Sequence, residues 1–288
     1  MSSVSLSNNE ERVAKAVQQV TQIATLPEVT AKIIQVVEDP RSTARDLQNI
    51  IKHDVALSAK ILKVVNSAFY GLPRQVSSVD RAIVLLGLST VKNIAVATSV
   101  AKLFSGSEIS RNFTSKQLWQ HSLACGVFCK MIAQLKKMEN ADEMFVAGLM
   151  HDLGIIVEKQ VYPDELTAVI EKTFDDKANL CQVEQEILGA DHQVFGTALA
   201  TKWKFPHLFQ LSTGYHHHPL KASEQYRPIT SVIHLADVLA YKKQIGFIMS
   251  NILFESETLH VLDLGEEQIS ELFTAFDEKY AVAEMVMK

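Results

Sequence analysis

Leu118-Trp-Gln-His121-Ser-Leu-Ala-Cys125-Gly-Val-Phe128-Cys-Lys-Met-Ile132-Ala-Gln-Leu135 is the stretch on which the fold turns. Leu118, His121, Cys125, Phe128, Ile132 and Leu135 follow one another at spacings of 3, 4, 3, 4 and 3. That is the period of one face of an α-helix, so His121 is expected to point inward with the core. The same pattern recurs around it. His192 is in register with Phe195, Leu199 and Trp203, Asp237 with Ile229, Ile233 and Ala240, and Asp152 with Phe145, Leu149 and Ile156. Four ionisable side chains are thus predicted to face the interior from four helices.

Composition agrees with a helical chain. The 288 residues are 47% hydrophobic, enough for a sizeable core. The 11 glycines and 7 prolines are about half the ordinary share, too little turn material for a β-sandwich or barrel. A net charge of −5 argues against duplex nucleic acid as a partner, because phosphate binding needs clustered Lys and Arg. No apolar run reaches the roughly 20 residues of a membrane span. The polar start, Met1 to Arg12, is not a secretory signal, so a cytoplasmic protein is expected. Three cysteines make no disulfide framework, and Cys125, Cys129 and Cys181 lack zinc-ribbon spacing. Cys125 and Cys129, four apart on one face, read as packed thiols.

Helical segments run outward in both directions. Residues 10–24 form the first, and Leu26-Pro27 breaks it. Val29, Ile33, Ile34 and Val37 mark the second, which Asp39-Pro40 ends. Ser42 or Thr43, then Asp54, then Ser77 or Ser78 are expected caps of the next three, and Gly87 closes the last of these. Residues 90–104 read as one more helix. Residues 105–112 are the most linker-like segment, so a boundary is expected there, giving an N-terminal subdomain (1–112) and a second subdomain (113–288). Asn140 and Glu143 have capping-box spacing before the helix expected to carry His151 and Asp152. From about residue 245 the chain reads as a packed helical extension.

Buried carboxylates cost several kcal/mol unless compensated. Two of them beside several imidazoles suggest a divalent metal, which takes neutral imidazole nitrogen and carboxylate oxygen together. His216, His217 and His218 supply further donors, of which at most two can reach one centre. The second His-Asp pair, His53-Asp54, has no histidine cluster near it and reads as a helix end and a cap. A helical scaffold in which the histidines only hydrogen-bond is the bland alternative.

On these residues the chain resembles the HD superfamily of metal-dependent phosphohydrolases, and most closely the HDOD family of bacterial signalling proteins. Three matches carry the likeness. The first is Asp54-Val-Ala-Leu57 through Asn66-Ser67-Ala-Phe-Tyr-Gly71, followed by Ala82 to Gly87. The second is Gly148-Leu-Met-His151-Asp152-Leu-Gly154. The third is Glu186 to Gly196 with Trp203 to Pro206, His216-His217-His218-Pro219 and His234-Leu-Ala-Asp237. Together they span about residues 20–242. The resemblance implies an all-α fold, an N-terminal helical bundle packed against an HD-like helical bundle. It implies that His121, His151, Asp152 and Asp237 bind one metal, and that His192, His216 and His217 complete a second site. In related HD-GYP phosphodiesterases two ions, roughly 3.5–4 Å apart, share the aspartate and activate water for attack on phosphorus. His151 and Asp152 would then be the catalytic pair. The donor set suits one or two ions of Fe, Mn, Ni or Zn.

The sequence also departs from those enzymes. Ile155 stands where they carry a phosphate-holding Lys, and His218-Pro219-Leu220-Lys221 replaces their Gly-Tyr-Pro loop. Both argue against cleavage of a cyclic dinucleotide. The leading expectation is a signalling module with a metal-binding core that acts through protein partners. Its rival is a metal-dependent phosphohydrolase acting on a phosphorylated small molecule. Asn66-Ser67 is expected to satisfy backbone groups where a helix turns into a loop. Trp119 and Trp203 read as core or interface residues, and Lys130, Lys136 and Lys137 as a solvated face.

Overall fold

Side-chain caps set the boundaries of the amino-terminal helices. The structure is a computed structural model that describes residues 8–23, 28–39, 41–104, 108–110, 113–246 and 253–287. Helices α1 (Asn8–Ile23) and α2 (Glu28–Glu38) match the first two amphipathic segments and bury Ala16, Ile33 and Ile34. The Leu26-Pro27 break and Pro40 lie outside the described residues. Thr43 opens α3 (Ala44–Ile51) with a capping box. Its hydroxyl accepts the Asp46 N–H, and Asp46 accepts the Thr43 N–H at 2.8 Å. Asp54 caps α4 (Val55–Val65) by accepting from Leu57 N–H at 2.8 Å, and Ser78 caps α5 (Val79–Leu86). Each such cap contributes about 1 kcal/mol. Gly87, at φ +85°, turns the chain from α5 into α6 (Leu88–Val100), and a short 3₁₀ turn follows at Ala101–Phe104.

Asn66 does what its place after α4 suggested. Its amide donates to Val76 O at 2.8 Å and accepts from Val76 N–H at 2.6 Å, while Ser67 Oγ donates to Val64 O. The loop from 66 to 76 is thereby closed by one side chain. Within the segment read as a linker (105–112), strand β1 (Glu108–Ser110) pairs antiparallel with β2 (Phe113–Thr114) just beyond it; the rest of 105–112 lies outside the described residues.

The rest is helical. Helix α7 (Ser115–Leu135) carries the opening stripe and is buried on nearly every side. Around it stand α8 (Ala141–Met150), α9 (Leu153–Val161), α10 (Pro163–Asp176), α11 (Leu180–Leu188), α12 (His192–Lys202), α13 (His207–Tyr215) and α14 (Arg227–Lys242). Then α15 (Glu257–Leu262) and α16 (Glu266–Met287) finish the chain. Helix α7 packs against α8, α14 and α16; α9 packs against α12 and α12 against α13; α1 lies across α9 and α12. The C-terminal extension is anchored by Phe276, fully buried, whose ring stacks on Phe128 at 4.0 Å between centroids. A fully buried side chain of that size contributes about 1.5–3 kcal/mol.

Two local expectations are corrected. Asn140 makes no side-chain cap to α8, because Glu143 turns instead toward Ser89 on α6. Lys130 is not part of a solvated face. It is buried, its ammonium sits 2.8 Å from Asp142, and it lies over the rings of Phe69 and Tyr70 at 4.1 and 4.4 Å. With Thr90 donating to Asp142 at 2.9 Å, this pair ties the loop after α4 and helix α6 to α7 and α8.

Candidate metal centre

His151 and Asp152 are not inside one helix. Helix α8 stops at Met150, His151 ends it, and Asp152 precedes the first residue of α9. The junction aims the two side chains into the same space from consecutive positions. Two glycine contacts hold the surrounding helices close. A Cβ on Gly148 would lie 2.7 Å from Gly126 Cα, so α7 and α8 approach backbone to backbone, bringing the His121 and His151 rings to 5.2 Å. A Cβ on Gly154 would lie 1.8 Å from the His192 carbonyl oxygen, so α9 is pressed against the start of α12.

All seven expected donors converge. The four read from inward stripes, His121, Asp152, His192 and Asp237, are buried, as are His151 and His216, and His217 is half-buried. Asp152 stands in the middle. Its Oδ2 lies 3.7 Å from His121 Nε2 and 3.1 Å from His151 Nε2. Its Oδ1 lies 3.6 Å from both His192 Nε2 and His216 Nε2. Asp237 Oδ1 completes the first group, 2.9 Å from His121 Nε2 and 3.7 Å from His151 Nε2. His217 joins the second through Nε2, 3.0 Å from His192 Nε2. His218 turns away to Glu255, at 3.2 Å, so two of the three consecutive histidines serve the centre.

The second ring nitrogens fix which atom each imidazole presents. His151 Nδ1 donates to Gly148 O at 2.7 Å, and His216 Nδ1 to Ser212 O at 3.0 Å. A carbonyl can only accept, so each of these rings turns a bare Nε2 into the centre when neutral. His192 Nδ1 faces the Glu184 carboxylate at 2.8 Å, the carboxylate–histidine arrangement that orients metal ligands.

The charges are those of a site built around positive charge. Burial alone would raise Asp152, yet His151, His192 and His121 hold it well below the usual carboxylate range. Burial is likewise overcome at Asp237, which His121 draws down to about 2. Burial would lower His192, but Glu184 raises it to about 9. Burial and neighbouring imidazoles push His216 well down and His217 to about 3. Those two rings are therefore neutral lone-pair donors. One proton on His192 Nε2 can serve only one of the two nitrogens that face it at 3.0 and 3.1 Å. His151 Nε2 and Asp237 Oδ2 are buried without any hydrogen-bond partner. A cation satisfies these atoms together, so the donor set fits a metal. The groups His121–His151–Asp152 and Asp152–His192–His216 each have ligand atoms close enough to hold one.

A model of the HDOD domain matches residues 23–219. The chain belongs to the HDOD domain family. A Geobacter sulfurreducens HDOD domain protein of unknown function has the same fold, with a TM-score of 0.79 and 22% identity over 96% of this chain and 98% of that one. A Marinobacter aquaeolei protein, provisionally described as a signal transduction protein, matches with a TM-score of 0.75 and 20% identity over 99% of this chain and 68% of that one. A Shewanella amazonensis protein, provisionally described as a phosphohydrolase, matches with a TM-score of 0.67 and 24% identity over 94% and 93% of the two chains. An uncharacterised Treponema pallidum protein is 25% identical over 217 residues, 74% of this chain. The chain spans 42% of that curated relative's length.

Asp237 lies beyond the matched HDOD segment, yet α14 delivers it to the same centre as His151. Sequence reasoning gave no role at the centre to three residues of this HDOD chain. Glu184 holds His192; its place on the buried face of α11, with Val183 and Leu188, was the available signal. His234, one turn before Asp237, donates from Nδ1 to His216 O at 2.7 Å and accepts the Glu255 N–H at Nε2, fixing the histidine loop. Cys181 reaches the cluster of His192 and His217, where spacing along the chain gave no hint of it.

Proposed function

We propose that this chain is an HDOD-type signalling module of the bacterial cytoplasm whose HD-like core binds one or two divalent transition metals. The bridging position of Asp152 carries the reading, one carboxylate oxygen toward each histidine group. His121, His151, Asp152 and Asp237 would hold one ion, and Asp152, His192, His216 and His217 the other. Imidazole and carboxylate donors suit Fe, Mn, Ni or Zn. Output through contact with a signalling protein is favoured by Ile155, wholly buried where a phosphate-holding lysine would be needed. Elemental analysis of purified protein tests the core: between one and two equivalents are expected, and none after reconstitution with Mn or Fe would leave only the hydrogen-bonded scaffold.

A second reading is metal-dependent hydrolysis of a phosphorylated small molecule. A cleft of about 310 Å³ supports it, because His217 lines it together with Asn179, Gln182, Gln185 and Asp191. A bound metal pair supplies Lewis acidity toward phosphoryl oxygens and makes water a nucleophile near neutral pH. The chain's own part would be to orient the ligands through Glu184, Gly148 O and Ser212 O, and to keep all but the cleft side dry. Neutral amides and one acid, without Lys or Arg among the lining residues, suit a substrate of low negative charge. Hydrolysis of a phosphodiester panel that disappears in His151→Ala would favour this reading. Failure across the panel with metal bound would leave signalling by contact.

A further inference from the structure

Cys181 is the one cysteine that lines the cleft at the centre; Cys125 and Cys129 are buried on α7. Its Sγ, a nitrogen of His192 and a nitrogen of His217 all lie within 4.8 Å of one another. One further observation points to a cation in that space. His192 and His217 turn their Nε2 atoms toward each other at 3.0 Å. The sulfur stands on the second residue of α11, whose first turn is capped by Asn179. Burial, with the Glu184 and Asp191 carboxylates nearby, pushes the free thiol well up, so only a bound cation would turn it into a thiolate.

We propose that Cys181 is a metal ligand, donating a thiolate to the ion held by His192 and His217. The inference rests on the metal-binding reading of the centre and adds a donor to it. On binding, the thiol proton leaves to solvent and a sulfur lone pair forms the bond to the metal. The consequence is selectivity. With oxygen and nitrogen donors alone Mn already binds at the weak end of the divalent series, and a sulfur donor widens that gap. A soft sulfur donor favours Zn or Fe and disfavours Mn.

Cobalt is the probe. The purified full chain, stripped of metal, is titrated with Co²⁺ and its absorption spectrum recorded. Wild-type protein is expected to show visible ligand-field bands together with a near-ultraviolet sulfur-to-cobalt charge-transfer band. Cys181→Ser keeps the ligand-field bands, loses the charge-transfer band, and binds the second equivalent roughly tenfold or more weakly. Zn should displace Mn more readily from wild type than from the variant. Ligand-field bands without charge transfer in wild type would overturn the thiolate while leaving the metal centre in place. The same holds if the charge-transfer band survives in Cys181→Ser. Absence of all cobalt bands would overturn the metal reading itself. The wild-type spectrum decides the matter even if the variant fails to fold.

Discussion

Replacing Gly154 with alanine attacks the centre without touching a ligand. The added Cβ would sit 1.8 Å from the His192 carbonyl oxygen, 2.6 Å from its carbon and 2.8 Å from the His192 Cα. All three neighbours are backbone, so no side chain can swing aside. Ordinary contact begins near 3.4 Å, which leaves the pair short by about 1.6 Å. Helices α9 and α12 must separate by most of that distance. Asp152 immediately precedes α9 and His192 begins α12, so the displacement falls between two donors of the second position. Metal sites tolerate distance errors of only about 0.2 Å, so that position should be lost. The overpacking itself costs on the order of 1–3 kcal/mol, or roughly 2–5 °C of melting temperature for a chain of this length. The assay is metal content by elemental analysis alongside thermal denaturation of the same sample. Gly154→Ala is expected to keep the His121–His151–Asp237 equivalent and to lose the other. A variant that binds wild-type metal and melts at the wild-type temperature would refute the close packing as the device that builds the site.

Three other outcomes follow from named contacts. Glu184→Gln removes the anion behind His192 and is expected to weaken the second metal equivalent about 10- to 100-fold in a chelator competition, with the first unchanged. In metal-free protein the His192–Glu184 pair raises His192 from its ordinary 6.5 to about 9. A raised folded value stabilises the fold fully below pH 6.5 and less as pH rises through about 9. Chemical denaturation at about pH 6 and about pH 10 should show that loss, and Glu184→Gln should flatten it. Phe276→Ala vacates a buried stacked position between α16 and α7 and should destabilise the chain by about 3–5 kcal/mol in urea melts, leaving metal content near wild type.

What could be read from the chain and what could not divide along physical lines. Helix starts were legible where a short polar side chain satisfies nearby backbone, as at Thr43, Asp54 and Ser78. The rule failed at Asn140, where a tertiary partner, Ser89, competes for Glu143. The inward direction of His121, Asp152, His192 and Asp237 was legible because a helical period assigns each residue a face. Their convergence was visible only through the order of motifs, since period says nothing about which helices meet. Lys130 was misread because local charge suggests solvent, and only the fold reveals Asp142, Phe69 and Tyr70 around it. Cys181 and Glu184 had no motif at all. They are brought to His192 by the turn between α11 and α12, a geometry fixed by Gly189 at φ +77°.

Metal content of wild type and Asp152→Ala, measured side by side on protein purified and then reconstituted with Mn or Fe, bears most directly on the centre. Asp152 Oδ1 and Oδ2 face different histidine groups, so one substitution should empty both. Between one and two equivalents in wild type, falling to a small remainder in Asp152→Ala, is the expected result. Wild-type protein without metal, or an Asp152→Ala variant that holds as much as wild type, would contradict a centre bridged by that carboxylate.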